Sequence, residues 1–222
     1  MAYLWVVFTV IAAAGQTARN AMQRELTATL GSVGATHVRF LFGFPFALVF
    51  LVSVMAVNGI GLPHPPWQFW LYDVAGALTQ IGGTALMLKT MTERSFVVTT
   101  AYLKTEPMFV AVLGLLFLND PLTLGMAAAI LIATAGVVLI SLRARHLPQG
   151  GWHAAAYGLS AGGLFAISAI GYRGAILSLG LPGYVMGATF TLAVGLVTQA
   201  TVLSAWLAWR DPKVLRAIFH LW

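Results

Sequence analysis

Four consecutive residues, Lys104, Thr105, Glu106 and Pro107, interrupt the run Phe96–Leu118, which is otherwise free of charge. A bilayer-crossing helix needs about 20 mostly apolar residues, so the run is long enough to be one. A charge at mid-bilayer costs about 3 kcal/mol or more. A proline inside a helix removes a backbone hydrogen bond and clashes with the preceding turn. An ammonium and a carboxylate at membrane depth can hold a charged solute, carry a proton, or pair with neighbouring helices. In a regular helix, i and i+2 side chains point apart, so Lys104 and Glu106 each need a separate partner. Arg39 is the candidate for Glu106, and Asp73 or a substrate carboxylate for Lys104. Two readings stand side by side: a structural charge pair between helices, or the lining of a polar cavity for substrate or proton. A lysine snorkelling to the interface is a third. Glu106 is the one acid this reading places well inside a span, which makes it the candidate proton carrier.

Other polar groups lie in or beside apolar stretches: Gln16, Asn20, Gln80, Thr84 and Tyr102. Hydrogen bonding between helices accounts for them, and substrate contact is the alternative for Gln16 and Tyr102. Tyr172 and Arg173 read as a solvated helix end. The histidines His37, His64, His146, His153 and His220 show no metal-ligand spacing and fall mostly at loops. No nucleophile elbow, phosphate loop or zinc-protease motif is present, so no catalytic residue and no metal site are assigned.

The elements that must position these residues are membrane helices. The chain is 59% hydrophobic and 8% charged over 222 residues, against about 25% charged in a soluble domain. This composition specifies an all-α polytopic membrane protein whose main partner is the lipid bilayer. The net charge of +6 does not imply nucleic acid, because the basic residues are scattered between apolar spans. The absence of cysteine excludes disulfides and thiolate chemistry. Leu4–Ala14 lacks the basic start of a signal peptide and reads as a first membrane helix. Seven spans are expected, at Tyr3–Ala18, Val38–Val57, Trp67–Leu88, Phe96–Leu118, Leu122–Leu142, His153–Leu177 and Gly183–Trp209, with a polar helical continuation of the first toward Thr27 as an option. The loops after spans one, three, five and seven hold Arg19, Arg24, Lys89, Arg94, Arg143, Arg145, Arg210, Lys213 and Arg216, whereas the opposite side holds Arg173. The positive-inside rule then orients a multi-pass inner-membrane protein with its N-terminus outside. Trp67, Trp70, Trp206, Trp209 and Trp222 near span ends fit interfacial anchors.

An offset of 149 residues places Arg24, Leu30, Gly31 and Gly34 on Arg173, Leu179, Gly180 and Gly183. The two copies start five spans apart, so the second runs inverted, an arrangement common among carriers with a midplane site. The division is residues 1–147 as a five-helix repeat and 152–222 as part of a second, with the boundary at Pro148–Gly151. By this offset the second copy stops as its third helix begins, so about seven helices of an expected ten are present.

Four places carry a resemblance to the EamA-type branch of the drug/metabolite transporter superfamily. Gly15-Gln16-Thr17-Ala18-Arg19-Asn20 resembles the family's small-and-polar first helix. Thr36-His37-Val38-Arg39-Phe40 resembles the start of its second helix. Leu103-Lys104-Thr105-Glu106-Pro107 resembles its fourth-helix segment, with Pro107 structural. Leu118-Asn119-Asp120-Pro121 resembles the turn between helices four and five, with Asp120 and Pro121 structural, although Asn-Asp stands where Gly-Glu is usual. The resemblance implies a secondary transporter of small metabolites, amino acids or drugs, and neither cofactor nor ATP site. Lys104, Glu106, Arg39, Tyr102, Gln16 and Asn20 would be its substrate or coupling residues. A homo-oligomer, or a partner supplying the missing helices, would complete the bundle. An inactive fragment, a non-catalytic seven-helix subunit or receptor, and a membrane enzyme are the alternatives.

Overall fold

At 1.5 Å per residue, a straight helix of 55 residues would be about 80 Å long, more than twice the roughly 30 Å of a hydrocarbon core. The first element, α1 (Leu4–Asn58), has that length and resolves the conflict at Gly31, where φ 68° and ψ 175° leave helical space. Glycine takes such a positive φ without the penalty a Cβ would bring. Two helical arms result, one on each side of the break. Gln23 spans it by donating from Nε2 to the Ala35 carbonyl at 3.2 Å. The first helix therefore extends well beyond Ala18, and the second begins before Val38.

The structure, a computed structural model, describes residues 4–59, 61–93, 96–118, 123–144 and 152–220. The expected turn at Asn119, Asp120 and Pro121, the boundary at Pro148–Gly151, and Arg94, Arg145, His146 and Trp222 lie outside these residues. After α1 come α2 (Trp67–Glu93), α3 (Phe96–Leu103), α4 (Glu106–Leu118), α5 (Leu124–Ala144), α6 (Trp152–Ser178), α7 (Tyr184–Arg210) and α8 (Pro212–His220). All elements among the described residues are helices, which makes this an all-α membrane fold. Val6–Asn58, Val98–Phe117, Ala155–Ser178 and Tyr184–Arg210 are long and apolar enough to cross a bilayer. The first of these holds two of the expected spans. The polar groups of α2 keep it off that set, although its 27 residues suffice to span.

Helices α2, α6 and α7 form the central wall, joined by the second arm of α1. Phe69, Ala175, Met186, Phe190 and Leu51 meet in one buried cluster, and Ala35, Met87, Leu88, Met91 and Ala161 in another. Small residues set the spacing, as expected where lipid gives helices no hydrophobic drive to associate. A Cβ on Gly171 would lie 2.9 Å from the Tyr72 carbonyl oxygen, and one on Gly195 the same distance from the Tyr172 ring. Outward-facing residues such as Phe46, Leu124, Ile132 and Trp209 are exposed, as a lipid-facing surface requires.

The last helix, α8, is too short to cross. It is amphipathic, with Lys213 and Arg216 exposed and Ile218 buried among Leu30, Val38 and Leu207.

Candidate functional site

The fourth crossing is broken. Helix α3 stops at Leu103, Lys104 and Thr105 form a turn, and α4 starts at Glu106. The Lys104 and Thr105 amides donate to the Ala101 and Tyr102 carbonyls, each at 3.1 Å, and the Thr105 carbonyl accepts from Met108 and Phe109. No regular helix connects Lys104 to Glu106, so the rule that separates i and i+2 side chains does not apply to them. Both line the same cavity, contrary to the expectation of separate faces. Pro107 sits in the first turn of α4, where its missing N–H has no helical partner to lose. It opens a half-helix rather than disrupting a whole one.

The cavity has a volume of about 410 Å³ and lies between the first arm of α1, α2, and the α3–α4 break. It gathers Gln16, Asn20, Arg39, Lys104 and Glu106, five of the six residues expected from sequence. The sixth, Tyr102, lies elsewhere. It is buried, and a Cβ on Gly158 of α6 would come within 2.8 Å of its own Cβ. Arg39 and Glu106 share the cavity without an ion pair; Arg39 instead donates from Nη1 to Thr84 Oγ1 at 3.3 Å.

A second cavity, of about 420 Å³, adjoins the first through three shared residues, Arg19, Arg39 and Gln80. Its remaining walls are mostly apolar, from Phe40, Ile176, Leu192 and Leu196, with Tyr172, Thr191 and Gln199 as the polar exceptions. Behind it, Gln199 donates to the Tyr172 hydroxyl at 2.9 Å and to Gln80 Oε1 at 3.4 Å, and Ser168 donates to Gln80 Oε1 at 3.2 Å. The central wall thus fixes Gln80 from two helices.

Four residues differ from the sequence reading. Arg19 belongs to a helix and lines both cavities rather than a loop. The spacing Gln16, Asn20, Gln23, one residue per helical turn, marks that polar face. Tyr172 is part of the central wall rather than a solvated end. His37 is fully buried with Nε2 3.1 Å from Ser204 Oγ, so it is no loop residue. Asp73, not Glu106, is the most deeply enclosed acid. It is 0% exposed, it faces no cation among the described residues, and its polar neighbours are the hydroxyls of Thr198 and Tyr172. It lines neither cavity and does not meet Lys104.

Broken membrane helices expose backbone and charge only where these face protein or a water-filled cavity. The arrangement can therefore hold a small polar solute at membrane depth. The sequence model of the EamA-like transporter family matches residues 1–142. No curated protein and no solved structure matches the chain.

Proposed function

Since the chain belongs to the EamA-like transporter family, we propose that it is a secondary transporter of small metabolites, amino acids or drugs, with its translocation site in the cavity between Lys104, Glu106 and Arg39. One observation carries this reading: charged side chains from both arms of α1, the α3–α4 turn and the start of α4 line one cavity beside a helix break, inside apolar spans. Its volume falls within the roughly 300–1,000 Å³ of small-molecule sites. Lys104, Glu106, Arg39, Gln16 and Asn20 are the binding or coupling groups.

Gly31 and Gly180, paired by the 149-residue offset, both have positive φ, at 68° and 60°. This supports residues 152–222 repeating the start of 1–147 with inverted topology. The basic residues support a cytoplasmic location for the Gly31 break and for α8, with the N-terminus outside and the inner membrane as host. The exposed apolar side chains are partnered by lipid.

Flux across liposomes containing the purified protein tests the proposal, with a panel of labelled amino acids, organic acids and amines. Glu106→Gln and Lys104→Gln should each abolish most of the flux for the responsive solute while the protein stays folded. Undiminished flux in both would remove the cavity from the pathway. Orientation is checked by single cysteines at Asn58 and at Lys89, which should label from opposite sides.

A further inference from the structure

Arg19 and Arg39 meet where the two cavities join. We propose that this junction binds the charged head of an amphipathic organic anion, with its apolar part directed to the Phe40–Leu192–Leu196 side. The inference rests on the transport reading for its purpose, and it names the substrate class.

A guanidinium keeps its charge in a protein. Two of them face the same space here, and among the described residues neither is ion-paired. Arg39 has two neutral partners, the Thr84 hydroxyl and the Phe40 ring, whose centroid lies 5.3 Å from its Cζ. Arg19 makes a long 3.5 Å contact from Nη2 to Asn20 Oδ1, and its Nε is buried without any partner. The nearest acid along the cavity, Glu106, is two residues from Lys104, which offsets it. The arginines are left as uncompensated like charges at membrane depth, a costly arrangement unless a counter-charge arrives. The planar donor fork of arginine matches carboxylate and phosphate oxygens.

The walls on either side of the junction differ. One side offers Lys104, Gln16 and Asn20; the other offers Phe40, Leu192 and Leu196. A bare inorganic anion would leave the apolar side unused, and a neutral apolar solute would leave the arginines uncompensated. An anion with an apolar group uses both.

Titration calorimetry on the full chain in lipid nanodiscs tests this with 3-phenylpropionate, its amide, 3-phenylpropylamine, acetate and phenyl phosphate. The carboxylate should bind about tenfold or more tightly than the amide and amine, the loss expected for a missing charge-assisted hydrogen bond, and than acetate, which keeps the charge but lacks the apolar group to bury. Phenyl phosphate reports which anionic head the junction prefers. Arg19→Gln and Arg39→Gln should each weaken 3-phenylpropionate by a similar factor, and Arg39→Lys by less. Equal binding of acid and amide, stronger binding of the amine, or no binding of 3-phenylpropionate overturns the proposal. The ligand series on the unaltered protein decides this even if a variant fails to fold. Binding without flux in liposomes would keep the anion site and sink the transport reading. Flux of other solutes with no anion binding would do the reverse.

Discussion

The α2–α6–α7 wall and the α3–α4–α5 side are built from similar apolar helices and behave as different materials. In the wall, glycines let backbones touch, and amide and hydroxyl side chains lock three helices through Gln80, Ser168, Tyr172 and Gln199. Across the cavity, the crossing is divided at Lys104–Thr105, and the glycines of α5, Gly125 and Gly136, have nothing within 4 Å of an added Cβ. The cavity that holds the proposed site sits between the two. One side fixes Arg39 and Gln80, and the other delivers Lys104 and Glu106 on a joint. A carrier needs both a fixed reference surface and a part that can move.

The largest expected effect comes from the wall. Gly171→Leu would drive a side chain into the Tyr72 carbonyl and the Gly76 backbone, where no flexible atom can yield. Overpacking of this kind costs about 1–3 kcal/mol and at backbone contacts more, so the variant should lose its monodisperse size-exclusion peak. A normal peak would break the contrast. Gly162→Ala probes the boundary between the two regions. Its Cβ would sit 2.5 Å from Thr105 Oγ1, which donates to the Tyr102 carbonyl at 2.7 Å. The single change should cost about 1–2 kcal/mol. The double change with Thr105→Ala should be no worse than Thr105→Ala alone, a coupling that thermal unfolding in detergent would measure.

Asp73→Asn removes the charge from an enclosed carboxylate that has hydroxyl neighbours and no cationic partner among the described residues. The thermal midpoint should stay level or rise, since a buried charge without a partner is costly. A drop of several degrees would reveal an ionic partner. Pro107→Ala should change stability by less than about 0.5 kcal/mol, against about 3 for a mid-helix proline. Last comes Gly136→Ala on α5, the change expected to cost nothing: the midpoint should not fall, because the added methyl meets open space and alanine favours helix over glycine.

Hydropathy alone made the class and most crossings legible, because bilayer thickness fixes how long an apolar run must be. The tetrad Lys104–Pro107 was legible as a defect, and three of its four expected companions, Gln16, Asn20 and Arg39, do share its cavity. Its geometry was not: the separation of Lys104 from Glu106 presumed a continuous helix. Arg19 was hidden because counting basic residues by side treats every arginine near a span end as a topology signal. Asp73 and Tyr172 were hidden for another reason. Their surroundings come from helices distant along the chain, as when Ser168 reaches Gln80 across 88 positions and Gln199 reaches it across 119. No local pattern encodes which helix faces which.

The two-residue interruption before Glu106 has a mechanical meaning. Its amides are satisfied by carbonyls of the preceding turn, so the break itself leaves neither N–H bare. The eight residues of α3 form a lever about 12 Å long, and swinging it by about ten degrees carries its far end about 2 Å. That displacement is comparable to the width of a water molecule.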